Sequence, residues 1–156
     1  MRVKGKTFVV TGAGNGIGRE LTLQLLSLGA RVAGLDLSEK GLQETSSLAN
    51  SESFASYQVD ISNLTEVTSS QKAILTKFGS VDGVINVAGI IQPFVRVNDL
   101  SFEQIKKVMD VNFYGLLNVT KSYLPHLLGR PEAHIANVSS MGGFVPVPGQ
   151  SIYGAS

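Results

Sequence analysis

The strongest constraint this sequence places on its fold lies at residues 9–18, where the apolar run Val9-Val10-Thr11 leads into Gly12-Ala13-Gly14-Asn15-Gly16-Ile17-Gly18. Lys6 to Thr11 reads as a short strand, and Ile17, Leu21, Leu25 and Leu28 recur at helical spacing directly after the glycines. Strand, glycine turn and helix therefore follow without interruption. Backbone amides and a helix N-terminus converge at such a turn, which suits it to cradle a phosphate; glycines also serve plain tight turns.

Spacing separates these readings further than the number of glycines does. The common dinucleotide pattern G-x-G-x-x-G is not met, because the sixth position from Gly12 is Ile17 and from Gly14 is Arg19. Thr11, Gly12, Gly16 and Gly18 instead satisfy T-G-x-x-x-G-x-G. In this the chain resembles the short-chain dehydrogenase/reductase family, whose longer loop wraps the adenosine ribose and pyrophosphate of a nicotinamide cofactor. The resemblance implies that Gly12, Asn15, Gly16, Ile17 and Gly18 border that cofactor.

Strand and helix periods alternate along the rest of the chain. Gly29 ends the first helix, and Arg31 to Leu35 reads as a second strand closing on Asp36. Ser38 caps a helix through about Leu48, and Phe54 to Val59 forms a third strand. Asn63 and Glu66 make a capping box for a helix with the stripe Leu64, Val67, Ile74, Leu75 and Phe78. Val81 to Asn86 is a fourth strand, and Gly89 to Leu100 a loop. From Ser101 a long helical region carries Phe102, Ile105, Val108, Met109, Leu116, Val119 and Tyr123 until Pro125 and Gly129 end it. A fifth strand, His134 to Val138, precedes a Gly/Pro loop and Ile152-Tyr153-Gly154-Ala155-Ser156. The pattern predicts one α/β domain over residues 1–156, a Rossmann-type doubly wound parallel sheet of strand order 3-2-1-4-5. Ligand is then expected at the carboxyl ends of strands one and four.

Composition removes several functions. Thirteen basic against 12 acidic residues give a net charge of +1, and no basic cluster is interleaved with aromatics, so neither nucleic acid nor an anionic membrane is an expected partner. Cysteine is absent, which excludes thiolate catalysis and cysteine-ligated zinc. His126 and His134 lack convergent carboxylates, and His126 reads as a surface or helix-terminal residue rather than a metal ligand. The apolar run near the N-terminus stops at Gly12, too short for a signal segment or a membrane span. A soluble, cytoplasmic protein with a small-molecule ligand is the expectation.

Asp36 ends the second strand 18 residues beyond Gly18, where a carboxylate accepts hydrogen bonds from the adenosine ribose and repels a 2′-phosphate. Leu37 and Ser38 follow it with no arginine, so NAD is expected over NADP. Asp60 and Ile61 end strand three. Asp60 reads either as a helix-capping acid or, as the resemblance implies, as a partner of the adenine amino group, with Ile61 against the ring. Asn86-Val87-Ala88-Gly89 is similar to the family's N-N-A-G, which implies that Asn86, Ala88 and Gly89 approach the nicotinamide-side ribose. Val87 departs from that pattern, and the departure bears on the hydrogen bond tying the sheet more than on the cofactor contact.

Moving a hydride to or from a carbinol carbon requires a proton relay at the oxygen. The family does this with Tyr-x-x-x-Lys, a serine 13 residues before the tyrosine and an asparagine on the preceding long helix. Tyr153, Ser140 and Asn112 match three of these members in order and spacing. The resemblance therefore implies a dehydrogenase interconverting a secondary alcohol and a ketone, with Tyr153 as general acid/base. Met141, Phe144 and Gln150 are candidates for lining the substrate site. The lysine would stand at position 157, just past Ser156, so a polypeptide of these 156 residues alone is expected to be inactive and to be a fragment of a longer, oligomeric enzyme. A non-catalytic NAD-binding module and a methyltransferase-like domain are the competing readings, the second having no use for the Ser140 and Tyr153 pair.

Overall fold

The computed structural model describes residues 2–156. Five strands, β1 (Thr7–Thr11), β2 (Arg31–Asp36), β3 (Phe54–Gln58), β4 (Gly83–Asn86) and β5 (His134–Asn137), form one sheet in the order β3-β2-β1-β4-β5. All pairings are parallel, with Val9 opposite both Ala33 and Val84. Helices α1 (Gly16–Ser27), α2 (Glu39–Ala49), α3 (Leu64–Phe78), α4 (Phe102–Met109), α5 (Leu116–Leu128) and α6 (Ser151–Ala155) complete the domain. The expected strand order and α/β class are those observed.

Side chains alternate across a strand, so the middle of a strand covered on both faces must be apolar on both. β1 shows this: Val9 joins Leu35, Val67, Ile74, Val84, Val119 and Tyr123 in one core, while Phe8 and Val10 join Leu25, Val32, Leu42 and Phe54 in the other. Each fully buried aliphatic or aromatic side chain contributes roughly 1.5–3 kcal/mol. The sheet between these two layers is the rigid platform that fixes its carboxyl edge.

Several local expectations shift. In α1 the buried residues are Gly18, Thr22 and Leu25, whereas Ile17 and Leu28 are 68% and 60% exposed. Small residues let this helix lie close to the turn before it, and Ile17 is left facing the cleft. Leu64 and Phe102 are likewise exposed. Asn63 caps α3 by accepting from the amides of Thr65 and Glu66, but the box is not reciprocal: Glu66 accepts from Asp60 N at 2.8 Å, and Asn63 N donates to Asp60 O. The single long helix expected from Ser101 is divided by a π-helical segment, Asp110–Gly115. Pro125 lies inside α5 and does not end it. The carbonyl it leaves without an amide partner belongs to Lys121, on the exposed side of the helix.

At the amino ends of the strands Asp82, 2% exposed, accepts from Thr7 N at 2.9 Å and from Arg130 Nη2 at 2.7 Å, with Lys6 at 3.8 Å. Burial alone raises its pKa, but the Thr7 amide, Arg130 and Lys6 outweigh burial and hold the carboxyl below its ordinary value. His126 Nε2 lies 3.1 Å from Val81 N, locking the end of α5 to the start of β4.

Candidate active site

The turn expected to form a cradle is built from two left-handed glycines and one close contact. Gly12 and Gly16 have φ of +70° and +51°. A Cβ on Gly18 would sit 2.1 Å from the Gly12 carbonyl oxygen, so only glycine lets α1 start against the loop. The outer bend is fixed through both the N–H and the C=O of Gly14. Gly14 N donates to Asp36 Oδ2 at 2.8 Å, while Gly14 O accepts from Arg19 Nη2. Arg19 also donates to Thr45 Oγ1 at 3.0 Å and pairs with Glu44 at 2.7 Å, and Thr45 donates to Ala13 O at 2.8 Å. Arg19 and Thr45 were not among the residues singled out from the sequence. Their signal is tertiary, since α2 must already lie beside the turn.

Asp36 accepts from Ser38 N through its other oxygen at 2.8 Å. Its carboxylate is thus held at the wall of a cavity of about 480 Å³ that Gly12, Asn15, Ile17, Gly18, Asp60, Ile61, Ala88 and Gly89 also line. Each carboxylate oxygen retains a further lone pair for a hydroxyl donor. Asp60 does not cap α3; its Oδ1 accepts from Ser62 N and Oγ at 2.9 and 2.7 Å, making a turn of its own. Asn118 pins that turn by donating to the carbonyls of Ile61 and Ser62 at 3.0 and 3.2 Å. Lys107, unnoticed in the sequence, also borders the cavity.

A second cavity of about 520 Å³ shares Ile17, Val87, Ala88, Gly89 and Ile90 with the first, so the two form one cleft over the carboxyl ends of β1 and β4. Asn86, Asn112, Ser140 and Tyr153 line this half. The sheet is tied here without a side chain from position 87. Thr11 Oγ1 accepts from Val87 N and Ala88 N at 3.0 and 3.1 Å, and Asn86 Nδ2 donates to Asn137 Oδ1 at 2.8 Å. Asn112 stands in the π-helical segment, a kind of insertion frequent at functional sites. It grips Ile90 from both sides, accepting from its N at 2.8 Å and donating to its O at 2.9 Å, and also donates to Ser156 Oγ. Ser140 accepts from Gly142 N at 3.1 Å.

The candidate substrate residues are placed differently. Met141 and Phe144 are 70% and 83% exposed and lie outside the lining of both cavities. Gln150 is 4% exposed, and its Nε2 donates to Gln92 O at 2.9 Å, which makes it part of the packing beneath the loop. Among the described residues no group of three or more His, Asp or Glu is placed to hold a metal, and no helix is long and apolar enough to cross a membrane.

The glycine turn, Asp36, Ser140 and Tyr153 thus border one cleft at the carboxyl ends of the strands. Residues 6–156 fit the family model described as short chain dehydrogenase. The chain belongs to the short-chain dehydrogenase family. Among its relatives, SadH of Mycobacterium tuberculosis is 39% identical over 155 residues, which cover 98% of this chain and 56% of SadH. A short-chain dehydrogenase/reductase of Burkholderia phymatum, solved in complex with NAD, superposes with a TM-score of 0.95 at 30% identity, over 99% of this chain and 56% of that one. The 3-ketoacyl-(acyl-carrier-protein) reductase of Brucella melitensis, solved with NADH, gives a TM-score of 0.93 at 29% identity, over 98% and 64%. The chain thus spans between about half and two thirds of the length of these relatives.

Proposed function

We propose that the protein carrying this chain interconverts a secondary alcohol and a ketone with NAD. The carrying observation is the continuity of the cleft: the half lined by Ser140, Tyr153 and Asn112 opens through Ala88 and Gly89 into the half lined by the glycine turn and Asp36. The residues of the first half suit an adenosine and a pyrophosphate. Asp36 has lone pairs left for ribose hydroxyls, and its charge opposes a 2′-phosphate. Arg19, beside the glycine turn, is taken up by Glu44 and the Gly14 carbonyl, which favours NAD over NADP. The relatives solved with NAD and NADH support the same choice.

NAD, when bound, supplies the acceptor for the hydride. The chain's own residues handle the substrate oxygen. Tyr153 exchanges its phenolic proton with that oxygen, Ser140 donates a hydrogen bond to it, and Asn112 fixes the Ile90 backbone at the cleft floor.

The test is NAD-linked oxidation of a panel of secondary alcohols by the full-length protein, followed by NADH absorbance. Tyr153→Phe is expected to lower kcat by roughly 10²–10⁴-fold with NAD affinity retained. A wild-type protein that binds NAD but turns over no alcohol or ketone would point instead to a non-catalytic NAD-binding module.

A further inference from the structure

Helix α6 carries Tyr153 in its first turn, where the backbone amides have no carbonyl partner within the helix. Its N-cap residue, Gln150, makes no capping bond from its side chain. The cap comes from elsewhere. Gln92, in the loop between β4 and α4, is 2% exposed, and its Oε1 accepts from Ile152 N at 2.7 Å and Tyr153 N at 3.0 Å. Those are the amides that a serine or aspartate N-cap would normally satisfy. Its Nε2 donates to Gly149 O at 3.0 Å, and its own carbonyl accepts from Gln150 Nε2 at 2.9 Å.

We propose that Gln92 is a positioning residue for Tyr153, capping α6 in trans and setting the tyrosine's place in the cleft through the loop that follows β4. The inference rests on the reading of Tyr153 as the acid/base. The same loop holds Ile90, which Asn112 grips, so Gln92 ties the tyrosine to the backbone that forms the floor of the cleft. Gln92 lines neither cavity, and its effect on the reaction is indirect. Displacing a reacting group by about 1 Å can cost on the order of 10²-fold in rate.

The test compares Gln92→Leu, Gln92→Glu, Gln92→Asn and Tyr153→Phe in the full-length protein, with kcat and KM for the alcohol, Kd for NAD by fluorescence titration, and Tm. Gln92→Leu is expected to lower kcat by roughly 10–100-fold while Kd for NAD changes by less than about 2-fold. Gln92→Glu keeps the acceptor for Ile152 and Tyr153 but loses the donor to Gly149 O, and its kcat is expected to lie between those of Gln92→Leu and wild type. A folded Gln92→Leu protein with wild-type kcat overturns the inference, as does a Kd for NAD that rises in step with the fall in kcat. Should Gln92→Leu not fold, Gln92→Asn decides: one methylene shorter, it is expected to fall well below wild type in kcat with Kd for NAD retained, and wild-type kcat overturns the inference. Full activity in Tyr153→Phe is a separate result that removes the premise, and the inference with it.

Discussion

Single residues in this molecule are constrained mainly by contacts closer than a side chain allows. At Gly18 the Gly12 carbonyl occupies the space where a Cβ would go, 2.1 Å away. Gly18→Ala must push α1 from the turn, so a loss of about 1–3 kcal/mol in stability is expected, measurable by urea unfolding, together with a weakened affinity for NAD in titration. Tyr123 presents the opposite case. Its ring is fully buried in the core beneath α5, yet its hydroxyl has no hydrogen-bond partner among the described residues. Burial, with Tyr57 nearby, drives its pKa upward. Removing an unsatisfied buried hydroxyl removes a desolvation penalty, so Tyr123→Phe is expected to match or exceed wild-type stability by up to about 1 kcal/mol. A clear drop in Tm would show that the hydroxyl has a partner after all.

At the level of elements, helix ends decide where the site residues stand. Asn63 accepts two amides at the start of α3 and, with Glu66 and Asp60, fixes the turn that borders the Asp36 half of the cleft. Asn63→Ala is expected to cost about 1 kcal/mol, read from chemical denaturation, with no change in kcat. The cap itself was legible from Asn63 and Glu66, because both partners are local in sequence. Its geometry was not: Glu66 prefers the amide of Asp60, a choice made only once β3 delivers that residue. The π-helical segment escaped notice for a similar reason. One extra residue per turn barely disturbs an apolar stripe running from Val108 to Val119, yet it turns Asn112 toward Ile90.

On the scale of the whole molecule, the two edges of the sheet have different duties. The carboxyl edge holds the cleft, and the amino edge holds the Asp82, Arg130 and Lys6 cluster that joins β1, β4 and the approach to β5. Because the folded pKa of Asp82 lies below its unfolded value of about 3.9, its contribution is fully present above that value and is lost as pH falls through the folded one. Arg130→Ala leaves the buried carboxylate short of its closest cation and is expected to cost about 3 kcal/mol. It also brings Asp82 closer to its unfolded pKa, which flattens the acid dependence of stability. Circular dichroism against pH for both proteins checks the sign: the variant should be the less stable at neutral pH, with the difference shrinking in acid.

What the chain's order of residues determined by itself was everything local or periodic: the strand-turn-helix at Thr11 to Gly18, the βαβ alternation and hence the sheet order, and the spacing of Asn112, Ser140 and Tyr153. Backbone sterics and burial act over a few residues and leave marks that a linear reading recovers. Tertiary structure alone decided which polar side chains hold these pieces in register. Arg19 reaches Gly14 and Thr45, Thr11 ties β1 to the end of β4, and Gln92 caps α6 only because distant segments meet at one edge of a sheet. It also withdrew Gln150 into the packing and left Met141 and Phe144 exposed. A hydrogen bond across 60 residues carries no periodic signature, and packing is what brings its two ends together.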